Sequence, residues 1–226
     1  MSFKLQFFGA TGEVTGSLYV LRTDSHTVLL ECGLIQGSDE VEKRNRDPLP
    51  VAVDEIDAVI LSHAHIDHSG RMPLLVKQGY SGPVYVQHAT KALCEIMLPD
   101  SGYLQEKDAE WENRKRRGRN ESLVKPLYTR EDAETALRQL ESAAYGEAIS
   151  VVPGLTLRFH DAGHILGSSI VEIVYANAGC ERRLVFSGDL GYRDAPVMDP
   201  PARLRNADAV LMESTYGDRL HRPFAE

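Results

Sequence analysis

The chain has 226 residues, 42% hydrophobic and 26% charged, which is ordinary for a globular protein and large enough for one α/β domain or a domain plus part of another. A formal net charge of −8 argues against a non-specific nucleic-acid coat, while leaving room for a local basic groove. No apolar run approaches membrane-spanning length, and Met1 to Phe8 lacks the apolar core of a signal peptide. The three cysteines, Cys32, Cys94 and Cys180, lie far apart without a Cys-x-x-Cys pair, so no disulfide framework is expected; each reads as a small hydrophobe in a reducing cytoplasm.

In chain order, the first runs read as strands. Lys4 to Phe8, Leu18 to Leu21 and Thr27 to Leu30 are rich in β-branched and aromatic residues, with glycine turns and Thr23-Asp24-Ser25-His26 between them. The third run ends at Glu31, a carboxylate at a strand terminus. Residues 36–55 are polar with Pro48 and Pro50 and read as a surface loop. The apolar run Ile56 to Leu61 then leads into Ser62-His63-Ala64-His65-Ile66-Asp67-His68-Ser69-Gly70. A helix is expected to begin at this stretch and to stop at Gly79.

Val84 to Val86 reads as a short strand, followed by a helix from near Thr90 toward Pro99. The basic run Arg114-Lys115-Arg116-Arg117-Gly118-Arg119 reads first as a solvated face, with phosphate contact as the functional alternative. Thr129 is a helix N-cap with Asp132 in the capping-box position, and Ala133, Ala136, Leu137 and Leu140 keep helical spacing up to Tyr145-Gly146. Strands return at Leu155 to Phe159, Ile170 to Tyr175, Leu184 to Phe186 and Ala209 to Met212, a pattern that fits a layered α/β sandwich.

The chemistry concentrates in the histidine stretch. His63 and His65 are two apart, so on extended chain they point to one side, and Asp67 and His68 follow at a helix start. Imidazole nitrogens and carboxylate oxygens are the ligands of catalytic zinc, which keeps a position open for water. His164 in Ala162-Gly163-His164-Ile165-Leu166-Gly167-Ser168 and Asp189 in Ser187-Gly188-Asp189-Leu190-Gly191 both follow strands and complete a candidate constellation. Three histidines and a carboxylate would fill one site, with Asp67 and His68 left for a second, and a carboxylate such as Asp189 can bridge two ions about 3.5–4 Å apart. His88 and His160 read as structural.

His-x-His-x-Asp-His, Ala-Gly-His-x-x-Gly-Ser and Ser-Gly-Asp-Leu-Gly together resemble the metallo-β-lactamase superfamily. Glu213-Ser214-Thr215-Tyr216-Gly217-Asp218-Arg219 resembles the opening motif of its β-CASP branch of nucleases. The Gly12-Glu13-Val14-Thr15-Gly16-Ser17 loop and the Leu98 to Thr129 region are similar to the branch that includes the mRNA 3′-end cleavage factor.

The resemblance implies an αββα sandwich incomplete at the C-terminus, with residues 1–207 the N-terminal part of the metallo-β-lactamase domain. Residues 208–226 would be its last strand and the junction to a missing β-CASP domain. It implies two zinc ions: His63, His65 and His164 on the first, Asp67 and His68 on the second, Asp189 between them. Asp67, Asp189 and Glu213 are the implied catalytic residues, Asp67 orienting the nucleophile. Glu31, where the family usually has Asp, is the implied acceptor behind a ligand imidazole, and Glu213 orients the same shell. Two further functional histidines are missing, one of them a ligand of the second zinc, and His221 stands too early to replace either. The implied activity is hydrolysis of RNA phosphodiesters by metal-activated hydroxide, in the cytoplasm, with RNA as partner and a homodimer or an RNA-processing complex as admissible assemblies. The alternatives are a small-molecule hydrolase such as a thioesterase or lactonase, and a zinc-stabilised scaffold.

Overall fold

The structure is a computed structural model that describes residues 3–193 and 195–220. His221, set aside above as standing too early to replace a missing histidine, and the ends of both expected segments lie outside them.

Two sheets stack face to face. The first holds six strands in the order β1 (Lys4–Phe7), β2 (Tyr19–Arg22), β3 (Thr27–Leu30), β4 (Ala58–Ile60), β5 (Val84–Gln87) and β6 (Leu140–Ala143). Its β1–β3 part is an antiparallel meander, and β3 to β6 run parallel. The second sheet is β7 (Ile149–Val152), β8 (Leu155–Asp161), β9 (Ser169–Asn177) and β10 (Cys180–Phe186), all antiparallel, with β11 (Ala209–Leu211) parallel to β10 at one edge.

Period-two alternation divides the core. Val28, Leu30, Ala58 and Ile60 point at Phe159, Val171, Ile173 and Phe186 of the second sheet. Leu29, Val59, Leu61 and Val86 point the other way, onto a helical layer. β3 and β4 are therefore buried on both faces, which explains their unbroken apolar sequence. The helical layer comprises α3 (Met72–Lys77), α4 (His88–Gly118) and α5 (Arg130–Ala136); α1 (Asp39–Glu42) and α2 (Ile66–Ser69) are single turns in loops. Over the outer face of the second sheet, among the described residues, Leu190, Ala202, Leu204 and Ala207 of an irregular segment cover Ile170 and Val185.

Four local expectations are corrected. The helix expected to end toward Pro99 runs on to Gly118 with Pro99 inside it. Proline costs roughly 3 kcal/mol in a helix interior, but Cys94, Leu98, Pro99 and Gly102 form a buried face, and Gly102 sits so close to the Thr129–Arg130 backbone that no side chain would fit. The basic run 114–119 is thus mostly the last turn of α4. The helical spacing assigned up to Tyr145-Gly146 gives out at Gln139, because Leu140–Ala143 pairs with β5 as an edge strand. Strand β7 has no counterpart in the sequence reading, and residues 36–55 contain three short helical turns rather than plain loop. Cys32 and Cys94 are buried as expected; Cys180 is only half-buried at the start of β10.

Candidate metal centre

Every candidate side chain follows the carboxyl end of a strand, on one rim of the sandwich. Glu31 follows β3, Ser62 to His68 follow β4, His164 follows β8, Asp189 follows β10 and Glu213 follows β11. The backbone amide of Ser169, which begins β9, donates to the carbonyl of Ser62 at 2.9 Å, stitching the two sheets together directly beneath the site. Close backbone approaches fix the loops: Gly33 lies against the carbonyl of Asp67, and Gly191 against that of Gly163, each leaving no space for a Cβ.

The side chains converge in two groups. His63 Nε2 is 3.0 Å from His65 Nδ1, and His164 Nε2 is 3.3 Å from the same His65 nitrogen. Asp189 Oδ2 stands 3.8 Å from His63 Nε2 and 3.6 Å from His164 Nε2. The other oxygen of Asp189, Oδ1, faces the second group at 3.3 Å from His68 Nε2, which is in turn 3.6 Å from Asp67 Oδ2. Asp189 thus presents one oxygen to each group, the disposition a bridging carboxylate needs.

This donor set fits a divalent cation. Ligands about 2.0–2.1 Å from a tetrahedral zinc are roughly 3.3 Å from one another, and the four-residue group His63, His65, His164 and Asp189 is spaced at 3.0–3.8 Å along its neighbouring pairs. Burial, with the neighbouring His68 charge, holds the His63 imidazole well below its usual range, and burial with His164 lowers His65. Neutral nitrogens are what a metal requires. Five of the six expected ligands fall in clusters compact enough for one ion, His63, His65, His164 and Asp189 in the first and His63 and His68 with Glu31 in the second, and Asp67 approaches only through its 3.6 Å distance to His68 Nε2.

The surrounding bonds are specific. Glu31 is fully buried and accepts from the Ser62 amide at 2.6 Å and at 2.9 Å from His68 Nδ1, leaving His68 Nε2 to face Asp67 and Asp189. Burial raises the Glu31 carboxyl against the opposing pull of His68 and Ser62. Burial alone pushes His68 down, but the carboxylates of Asp189 and Glu31 outweigh it and bring it to about 10. Asp189, pushed up by burial, is held well below the carboxylate range by its bond with His68 and by the charges of His68, His63 and His164. Glu31 adopts φ 64°, a conformation that costs a non-glycine residue about 1–3 kcal/mol and aims its carboxylate into the site.

Glu213 touches none of the imidazoles. Its carboxylate accepts the amides of Leu190 at 3.0 Å and Thr215 at 3.2 Å, and its own amide donates to Ser187 Oγ. It orients the loop that carries Asp189. The sequence reading passed over Ser62, whose hydroxyl lies 2.9 Å from His63 Nδ1 and leaves Nε2 to face the group. A hydroxyl immediately before a ligand histidine is the signal that could have marked it.

His88 and His160 bond to Ser142 and to the buried Glu172, away from the centre. A cleft of about 430 Å³ opens over Tyr19, His68 and Asp189. Its walls are Thr11 to Val14 on one side and Met212 to Thr215 on the other. Glu13 is tied to Arg44 by two bonds of 2.7 and 2.9 Å, which hold its carboxyl below the usual range and fix the first wall.

Residues 20–186 match the model of the metallo-beta-lactamase superfamily domain. The chain belongs to the metallo-β-lactamase superfamily. It is 42% identical over 219 residues to ribonuclease TTHA0252 of Thermus thermophilus, a match covering 97% of this chain and 45% of the relative. It is 32% identical over 212 residues to transcription termination factor FttA of Methanosarcina mazei, covering 93% of this chain and 31% of the relative. The chain therefore spans less than half the length of these relatives. Among solved structures, BJP-1, a subclass B3 metallo-beta-lactamase of Bradyrhizobium japonicum, superposes with a TM-score of 0.53 at 19% identity over 91% of this chain and 74% of that one. That likeness concerns the fold alone.

Proposed function

We propose that this chain is the metal-holding part of a ribonuclease of the β-CASP type, hydrolysing RNA phosphodiesters. The observation that carries the reading is the convergence of His63, His65, His68, His164 and Asp189, with Asp67 beside His68, on one strand-end rim, in a chain 42% identical to a ribonuclease. Residues 1–207 are read as the metallo-β-lactamase unit, and 208–226 as its last strand and the junction to a β-CASP domain. His63, His65 and His164 would hold one zinc ion, Asp67 and His68 a second, with Asp189 between. Bound there, the cations would lower the pKa of water toward about 7 and offset charge on the phosphate oxygens.

The chain's own residues do the rest. Glu31 holds one His68 proton on Nδ1, so that Nε2 would be the ligand atom once the second proton, which Asp189 and Glu31 otherwise keep on the ring, gives way to a cation. Asp67, beside His68 Nε2, would ligate and would orient the attacking water. Asp189 keeps its negative charge between the two groups, and Glu213 fixes its loop. The cleft walls at Thr11–Val14 and Met212–Thr215 guide a strand across the rim. No helix among the described residues is long and apolar enough to cross a membrane. All three cysteines are free, two of them buried, which fits a reducing compartment such as the cytoplasm.

The test supplies purified protein with zinc and follows end-labelled RNA beside a thioester and a lactone. Cleavage of RNA alone supports the reading. Turnover of the thioester or lactone with intact RNA would replace it with the small-molecule hydrolase, and zinc binding without any turnover with the scaffold.

A further inference from the structure

Helix α4 is 31 residues long, about 46 Å at 1.5 Å per residue, and its outer face carries side chains that a solvated helix does not require. Ile96 is 68% exposed, Tyr103 45%, Leu104 53% and Trp111 54%. At about 100° per residue, these four fall within an arc of roughly 100°, and Asp100, Lys107 and, beyond Trp111, Arg114, all exposed, lie inside the same arc. The inner face of the helix is occupied by Cys94, Leu98 and Gly102, so the stripe faces away from its own core.

The order along the stripe is palindromic in chemistry. Outward from a point between Tyr103 and Leu104 come an apolar pair, then Asp100 on one side and Lys107 on the other, then Ile96 and Trp111. A twofold axis through that point, relating two antiparallel copies, sets Tyr103 against Leu104, Asp100 against Lys107 and Ile96 against Trp111, each twice. This is the self-complementarity an isologous interface demands. Asp100 is free to engage, whereas Lys107 bonds Glu110 at 2.9 and 3.0 Å and lies over the Tyr103 ring, and Lys115 lies over the Trp111 ring, so the contact would exchange these exposed pairings on its own helix for those across the axis.

We infer that the outer face of α4 is a homodimer surface whose occupant is a second copy of the same helix, antiparallel, with reciprocal Asp100–Lys107 pairs flanking an apolar centre. One helix on one helix buries less than the standard interface of about 1,600 Å², so the dimer is weak and depends on concentration.

The chain has a single tryptophan, and it lies in the stripe, so its emission reports the contact directly. Sedimentation is measured from micromolar to several hundred micromolar on the native chain, on Asp100→Lys, on Lys107→Asp and on the double exchange. All the substituted positions are exposed, and far-UV circular dichroism checks that the fold is kept. The native chain and the double exchange are expected to dimerise, with Trp111 emission shifting to shorter wavelength as concentration rises. Each single reversal sets like charges opposite one another twice and should weaken association at least about tenfold. A native chain that stays monomeric throughout, or four proteins that dimerise equally, would overturn the inference. So would a Trp111 response to single-stranded RNA in the absence of self-association, which would assign the stripe to base stacking instead.

Discussion

The candidate metal centre has two halves, built differently. Glu31, His63 and His68 come from the buried strands β3 and β4 and the turn after them, with side chains at most 5% exposed. His164 and Asp189 come from loops of the second sheet and are 28% and 31% exposed. In the first half, Glu31 holds His68 and Ser62 holds His63. In the second, the loop itself is held, by Glu213 on the Leu190 amide, and the His164 amide is bonded by Ser168 Oγ at 3.0 Å. Rigidity in one half comes from burial and in the other from loop hydrogen bonds that solvent can reach. The first half should therefore dominate cation affinity, and the second should set how the ligands meet the substrate.

The largest expected effect tests the core of the first half. Replacing His63 and His65 together by alanine should abolish stoichiometric zinc binding, read by elemental analysis of the purified protein. Zinc content equal to that of the native chain would remove the basis of both halves. Glu31→Gln should follow, because Ser62 and His68 bond different oxygens of the carboxylate and an amide turns one of them into a donor. Loss of such a partner typically costs about 10–100-fold in metal affinity. Competition with a chelator measures it. Glu213→Ala should cost less, a few-fold in turnover with zinc content kept, since only the Asp189 loop is loosened. Should Glu213→Ala strip the metal as thoroughly as Glu31→Gln, the contrast between the halves would be wrong.

The same contrast explains what was legible in the sequence. The candidate ligands from His63 to His68 are compressed into six positions after an apolar strand, so spacing alone singles them out. His164 and Asp189 gain meaning only from company, because a glycine-flanked histidine or aspartate after a strand is ordinary turn chemistry. The sequence placed Glu31 at a strand end, but only the fold shows that its partner is His68, through the left-handed turn at residue 31. Strand β6 was hidden because Leu-Glu-Ser-Ala carries no β-branched residue and continues the helical spacing of α5; its pairing with β5 makes it a strand. Pro99 was read as a stop because the rule is local, whereas the buried face from Cys94 to Gly102 is a tertiary fact.

The smallest expected effect concerns the scaffold beneath the first half. Asp132 completes the capping box of α5 with Thr129 and also bonds Lys77 of α3 at 2.7 Å, joining two helices that pack on the sheet bearing Glu31 and His63. Burial alone would raise its carboxyl, but the bonds from Lys77 and from the Thr129 backbone outweigh it and lower it below the usual value. A depressed folded pKa contributes stability that is present above the unfolded value, about 3.9, and is lost as pH falls through the folded one. Asp132→Asn should therefore cost about 1 kcal/mol or less at neutral pH and nothing in acid once the native carboxyl is protonated. Denaturant titrations at pH 7 and below pH 3 would show the difference. A deficit of equal size at both would mean that the cap acts through shape rather than charge, and that the rigidity of the first half owes nothing to this ion pair.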